Sequence, residues 1–169
     1  GLDLARFLRP GDRIVMGQAC GEPTTLVEAL IAQGRDIGGL SAFIATSFSG
    51  LFTPETTASF ALSSMGAIGA LRGMTRAGKL AVIPAHVSQI GPMITAGIIG
   101  CDVAFIQVSP ADESGNHSYG LISDHVRAAV DRARVVIAEV NEQVPHTPGE
   151  TIPAAAIDVA VHVSRAPVE

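Results

Sequence analysis

Tryptophan is absent from this 169-residue chain, tyrosine occurs once, and there are only two cysteines, Cys20 and Cys101. Two cysteines cannot build the disulfide framework of a small secreted fold, so both are expected to be buried free thiols of a cytoplasmic protein. Charge is scarce as well. Asp, Glu, Lys and Arg make up 16% of the residues, against about 25% in an average globular domain. The balance is acidic, with a net charge of −5 and no run of Lys or Arg. Without a basic stripe to neutralise phosphates, and with one Tyr and no Trp to stack on bases, the composition argues against nucleic-acid binding. A long apolar segment is missing too. Residues 91–101 form the longest run, but it contains Pro92 and stops at Asp102, far short of the roughly 20 residues a membrane span needs.

What is present is apolar and glycine-rich: 47% hydrophobic residues and 18 glycines. The length suits one domain with a substantial core. So few charges leave little to solvate its exterior, and part of the surface is expected to be covered by a second domain, a second chain, or both.

The chain is organised around residues 101–120. Residues 103–108, Val-Ala-Phe-Ile-Gln-Val, read as a strand buried on both faces. Ser109-Pro110 ends it, because Pro has no N–H for a ladder. A polar, Gly-containing loop follows over residues 111–119, where an open α/β sheet places its ligand. Upstream, residues 13–16 read as a strand, residues 17–23 as a glycine loop, and Thr25 with Glu28 as a capping box opening a helix that Gly34 ends. Strands are expected at residues 40–46, 58–62, 79–83, 134–140 and 157–163, the last at a sheet edge. Helices are expected at 66–77, at 89–96 with Ser88 as cap, and at 126–133 with Ser123 or Asp124 as cap. Residues 47–57 and 145–153 read as loops. The alternation implies an α/β fold: an open, mostly parallel sheet with helices on both faces.

Few residues stand out for chemistry. The loop from Gly17 to Gly21 joins a strand to a helix N-terminus, a place that favours anions, but it is neither a Walker A motif nor G-x-G-x-x-G. The five histidines show no metal-binding spacing and no Ser lies in G-x-S-x-G, so neither a metal site nor a serine hydrolase is expected. Glu139, at the end of a buried strand, suits either a nucleophile or orienting carboxylate, or a capping or surface group. Asp112 and Glu113 suit a turn.

Residues 15–29, 83–89, 102–112 with Gly115 and Gly120, and 136–141 followed by Pro145 and Gly149 together resemble the N-terminal domain of the acetyl-CoA hydrolase/transferase family, which includes acetate and 4-hydroxybutyrate CoA-transferases. The resemblance covers nearly the whole chain. It implies one of two similar α/β domains flanking a cleft, no permanently bound cofactor, a coenzyme A thioester and a small carboxylate as substrates, and a homo-oligomer. It also implies that the nucleophilic glutamate belongs to a C-terminal domain outside residues 1–169. No residue here matches that glutamate, and Glu139 is not given its role, so no catalytic residue is expected in this chain. One cleft wall is expected from the loops after the strands. Gln107, Ser109, Asn141, His86 and Ser88 would face the substrate, and Gly17 and Gly21 the cofactor moiety. Gln89 departs from the pattern, standing where a Glu is common after His-x-Ser, and residues 47–64 match poorly. A thioester hydrolase half, a non-catalytic assembly module and a sugar-phosphate isomerase of related fold remain as alternatives; the last lacks a basic phosphate site.

Overall fold

The computed structural model describes residues 1–169. Seven strands form one parallel sheet: β1 (Arg13–Met16), β2 (Ser41–Phe43), β3 (Ala61–Ser64), β4 (Leu80–Val82), β5 (Val103–Val108), β7 (Val135–Asn141) and β9 (Val159–Val163), in the order β4-β3-β2-β1-β5-β7-β9. The short strands β6 (Asn116–Ser118) and β8 (Thr151–Pro153) pair antiparallel outside it. Helices α1 (Thr24–Ile37), α2 (Arg72–Arg76), α3 (Val87–Thr95) and α4 (Val126–Arg132) cover the two faces. This is the α/β architecture expected from the alternation of segments. No helix is long and apolar enough to cross a membrane.

Two cores sandwich the sheet. Ile14, Met16, Phe105 and Ile137 meet Leu26, Val27 and Leu30 of α1 on one face. Val15, Ala104, Ile106 and Ala138 meet Ile90 and Ile94 of α3 and Val126 and Ala129 of α4 on the other. Strand β5 is buried at all six positions, which is why its sequence shows no polar alternation. β9 is an edge strand and alternates half-buried with exposed residues.

Several boundaries differ from the sequence reading, each because a tertiary contact outweighs a local signal. α1 runs through Gly34 to Ile37 and is capped by Gly38 at φ 84. Gly34 is buried, and a Cβ there would meet Ser59, Leu30 and Phe60 at 3.4–3.6 Å, so it is a packing glycine. Thr25 and Glu28 form no capping box; both accept from the Arg165 guanidinium instead. The span 66–77 holds only a 3-10 turn, Gly69–Leu71, before the five residues of α2. Ser88 lies inside α3, whose N-cap is His86; Gln89 Oε1 accepts the His86 N–H at 2.9 Å. Neither Ser123 nor Asp124 occupies the α4 cap, which is His125. The strand expected at 58–62 sits at Ala61–Ser64. The loops expected at 111–119 and 145–153 supply β6 and β8 to each other, a pairing between segments too distant for periodicity to reveal. Both thiols are free; Cys101 is buried, but Cys20 is only half-buried, because its loop lies at the sheet's open end.

Candidate functional site

Strand order reverses at β1: β2, β3 and β4 lie to one side, β5, β7 and β9 to the other. The crevice above the carboxyl ends of β1 and β5 is therefore the topological switch point, where open parallel sheets bind ligands. Residues 17–23 leave β1 there. Gly17 donates its N–H to the Phe105 carbonyl at 3.0 Å, joining this loop to β5. A Cβ on Gly17 would lie 2.4 Å from the Gly21 carbonyl oxygen, and one on Gly21 would lie 2.6 Å from Ile122 Cγ2. Both glycines are buried, and close packing within the domain accounts for each. Between them Ala19 holds a φ of 50, unusual for a residue with a Cβ. Its N–H bonds the Thr46 carbonyl at 2.9 Å. A strained residue kept in place at a strand end is a common mark of a functional loop.

Two hydrogen-bonded clusters lie beneath the crevice, one around Gln107 and Asn141 and one around Ser109. Gln107 donates from Nε2 to the Cys20 carbonyl at 3.0 Å. Asn141 donates from Nδ2 to Gln107 Oε1 at 3.2 Å and to the Arg165 carbonyl at 2.8 Å, while its Oδ1 accepts from the amides of Gln143 and Arg165. Ser109 Oγ donates to the Pro110 carbonyl at 2.8 Å, accepts the Ser118 N–H at 3.0 Å and lies 3.4 Å from His146 Nδ1. Gln107, Ser109 and Asn141 are all buried. Their polar atoms hold the loops of β1, β5 and β7 together, which buried polar groups must do to offset lost hydration.

The four other sequence candidates divide into two places. Gly17 and Gly21 join Gln107 and Asn141 at the switch point, with Ser109 on the next loop. His86 and Ser88 are exposed at the start of α3, beyond β4. His86 and Gln89 line a separate groove of about 520 Å³ with Met65, Pro84 and Ala85. No three His, Cys, Asp or Glu side chains converge to hold a metal.

Three carboxylates near the crevice, of which Glu22 alone carries no sequence signal, are held by bonds from distant segments or neighbouring side chains. Glu22, 1% exposed, accepts hydrogen bonds from Ser47, Phe48 and Ser49. Asp124 accepts from Gln18 Nε2 and from the His125 amide, and lies 3.0 Å from His125 Nδ1. Burial opposes its ionisation, yet the bonds from His125 and Gln18 hold it below the usual carboxylate range. Glu139 reaches from β7 under α1, where Oε2 accepts the Thr25 N–H at 2.7 Å and Oε1 is buried without a partner. Burial pushes its pKa up in spite of the Thr25 bonds. Of the alternatives open for Glu139, capping is the one the geometry supports: it caps a helix from another element. Asp112 makes the expected turn, accepting from the amides of Ser114 and Asn116 at 2.9 Å.

Above this floor the rim is apolar. Phe48, Ile68, Val82, Val87 and Leu121, each 42–53% exposed, all lie at or beyond the carboxyl ends of the strands. Only Ile98, at 69%, is an exposed large hydrophobic elsewhere.

Residues 2–168 match the model of the acetyl-CoA hydrolase/transferase N-terminal domain. A 4-hydroxybutyrate coenzyme A transferase of Clostridium kluyveri is 31% identical over 156 residues, covering 90% of this chain and 36% of that protein. The crystal structure of RipA from Yersinia pestis superimposes with a TM-score of 0.89 at 25% identity, covering 98% of this chain and 42% of that one. A 4-hydroxybutyrate CoA-transferase structure from Porphyromonas gingivalis shares the fold, with a TM-score of 0.76 at 24% identity over 98% of this chain and 38% of that one. The chain thus spans about a third of the length of the curated relatives it matches.

Proposed function

Since this chain belongs to the acetyl-CoA hydrolase/transferase family, through its N-terminal domain, we propose that it is one wall of a CoA-transferase cleft whose other wall and nucleophile come from a C-terminal domain, on the same polypeptide or on a second subunit. The observation that carries this reading is the state of the crevice floor. Glu22, Gln107, Ser109 and Asn141 are already bonded within the domain, and Glu139 is buried beneath α1. The chain supplies shape, orientation and an apolar rim, and no free carboxylate at the switch point suited to attack.

In the proposed reaction a glutamate of the partner domain attacks the acyl-CoA carbonyl and releases CoA thiolate, leaving a mixed anhydride. The thiolate returns to the glutamyl carbonyl and frees the first carboxylate, giving a glutamyl-CoA thioester. A second small carboxylate then repeats the two steps in reverse. Splitting one exchange into four lowers each barrier, and backbone N–H groups at the strand ends, aimed at the developing oxyanion, would stabilise it. No permanently bound cofactor is required, and the reaction is assigned to the cytoplasm in a homo-oligomeric enzyme. Hydrolysis would instead end at the glutamyl-CoA thioester: water attacks its carbonyl, CoA leaves as the thiol and the glutamate is restored.

The test compares the isolated chain with the two-domain protein. The isolated chain is expected to transfer no CoA between butyryl-CoA and acetate, and restoring the C-terminal domain is expected to give turnover. Borohydride reduction during turnover is expected to modify a glutamate of the C-terminal domain. Full activity of the isolated chain, or a modified glutamate within residues 1–169, would reject the proposal.

A further inference from the structure

Resting on that reading, we infer that Glu22 is a positioning residue that sets acyl-group selectivity by fixing Phe48 as the end wall of the acyl site. Glu22 is 1% exposed and has no cationic partner. A buried carboxylate without a counter-ion is costly unless hydrogen bonds saturate it. Here they come from one short segment: Ser47 Oγ at 3.0 and 3.2 Å, the Phe48 amide at 3.1 Å, the Ser49 amide at 3.3 Å and Ser49 Oγ at 2.5 Å. The amides of Phe48 and Ser49 bond nothing else. Glu22 is thus the sole hydrogen-bonded anchor for those two peptide units, immediately before Gly50 at φ 69.

The anchored segment presents an unusual group. Phe48 is 47% exposed at the open end of the sheet, directly beyond Thr46, whose carbonyl holds the strained Ala19. The bond from the Phe48 amide to Glu22 thus sets residues 47–49 beside the β1 loop at the switch point. An exposed aromatic ring on a mobile loop selects little; the same ring held by a buried carboxylate is a fixed apolar stop. The chemistry it fits is the aliphatic chain of a thioester, with length the property it discriminates. Methylene-scale selection of this kind is worth about 10- to 200-fold in kcat/KM.

The experiment uses the two-domain protein with propionyl-, butyryl- and hexanoyl-CoA as donors and acetate as acceptor. Phe48→Ala is expected to raise the hexanoyl-to-propionyl ratio of kcat/KM by about tenfold or more. Glu22→Gln and Ser49→Ala are expected to shift that ratio in the same direction, through KM more than kcat. Because Glu22 acts through Phe48, the Glu22→Gln/Phe48→Ala double variant is expected to shift the ratio no further than Phe48→Ala alone. An unchanged ratio in Phe48→Ala, or shifts that multiply in the double variant, overturns the inference. Should Glu22→Gln fail to fold, Ser49→Ala alone and combined with Phe48→Ala decides in its place. If the wild-type protein transfers CoA from none of the three donors, the proposed function fails instead, and the two failures are distinguishable.

Discussion

Glu139 shows what one residue contributes here and how to detect it. Its carboxyl binds a helix N-terminal amide with one oxygen and leaves the other buried with no protein partner. Burial raises its pKa above the ordinary 4.5, so the folded chain binds this proton more tightly than the unfolded chain. The stability this gives is complete below about pH 4.5 and is lost as pH rises through the folded-state pKa. Glu139→Gln, which keeps the shape and cannot ionise, is expected to flatten the decline of stability over that range, measured by urea unfolding from pH 4 to 8. An unaltered pH profile would mean that another group titrates there. Glu139→Ala leaves the Thr25 amide unpaired and is expected to cost about 1–3 kcal/mol at any pH.

Among the elements, the loop from β1 to α1 is constrained by its own backbone. A Cβ at Gly17 would collide with the Gly21 backbone carbonyl at 2.4 Å, and backbone cannot rotate away as a side chain can. Gly17→Ala is expected to cost about 1–3 kcal/mol in unfolding free energy. Gly73→Ala is the contrasting case: it lies within α2 with nothing within 4 Å of the added methyl, and a gain of up to about 1 kcal/mol is expected because Ala is the better helix former. Equal effects at the two sites, by thermal or urea melts, would contradict this account. Strands such as β5 and β7 were legible because burial on both faces leaves a mostly apolar run without polar alternation. The short α2 and the β6–β8 pair were not. Gly69 and Gly73 leave the former too little propensity to declare its length, and the latter exists only where two polar segments meet.

At the scale of the whole molecule, low charge content has a location. Five of the six exposed large hydrophobics rim the carboxyl end of the sheet, a concentration that marks a surface meant to be covered. The isolated chain is expected to bind an apolar dye such as anilinonaphthalene sulfonate, and adding the C-terminal domain to suppress the signal. Phe48→Ser and Val87→Ser are expected to reduce the fluorescence of the isolated chain, while Ile98→Ser, at the other end of α3, changes it little. Equal reduction at all three positions would show that the exposed apolar surface is not confined to the rim.

By itself the sequence determined the fold class, the order of the seven parallel strands' segments along the chain, and the family, because burial of β-branched runs and glycine punctuation are written in neighbouring residues. The family resemblance also pointed to Gln107, Ser109 and Asn141, which lie at or just beyond the carboxyl ends of β5 and β7. Only the tertiary structure decided what those residues touch, that His86 and Ser88 are exposed at the start of α3, and that Glu22 and Glu139 are buried anchors. A carboxylate's burial depends on segments that fold against it: 47–49 for Glu22 and the α1 N-terminus for Glu139. Nothing in the local sequence of an acid reveals which distant amides will come to it.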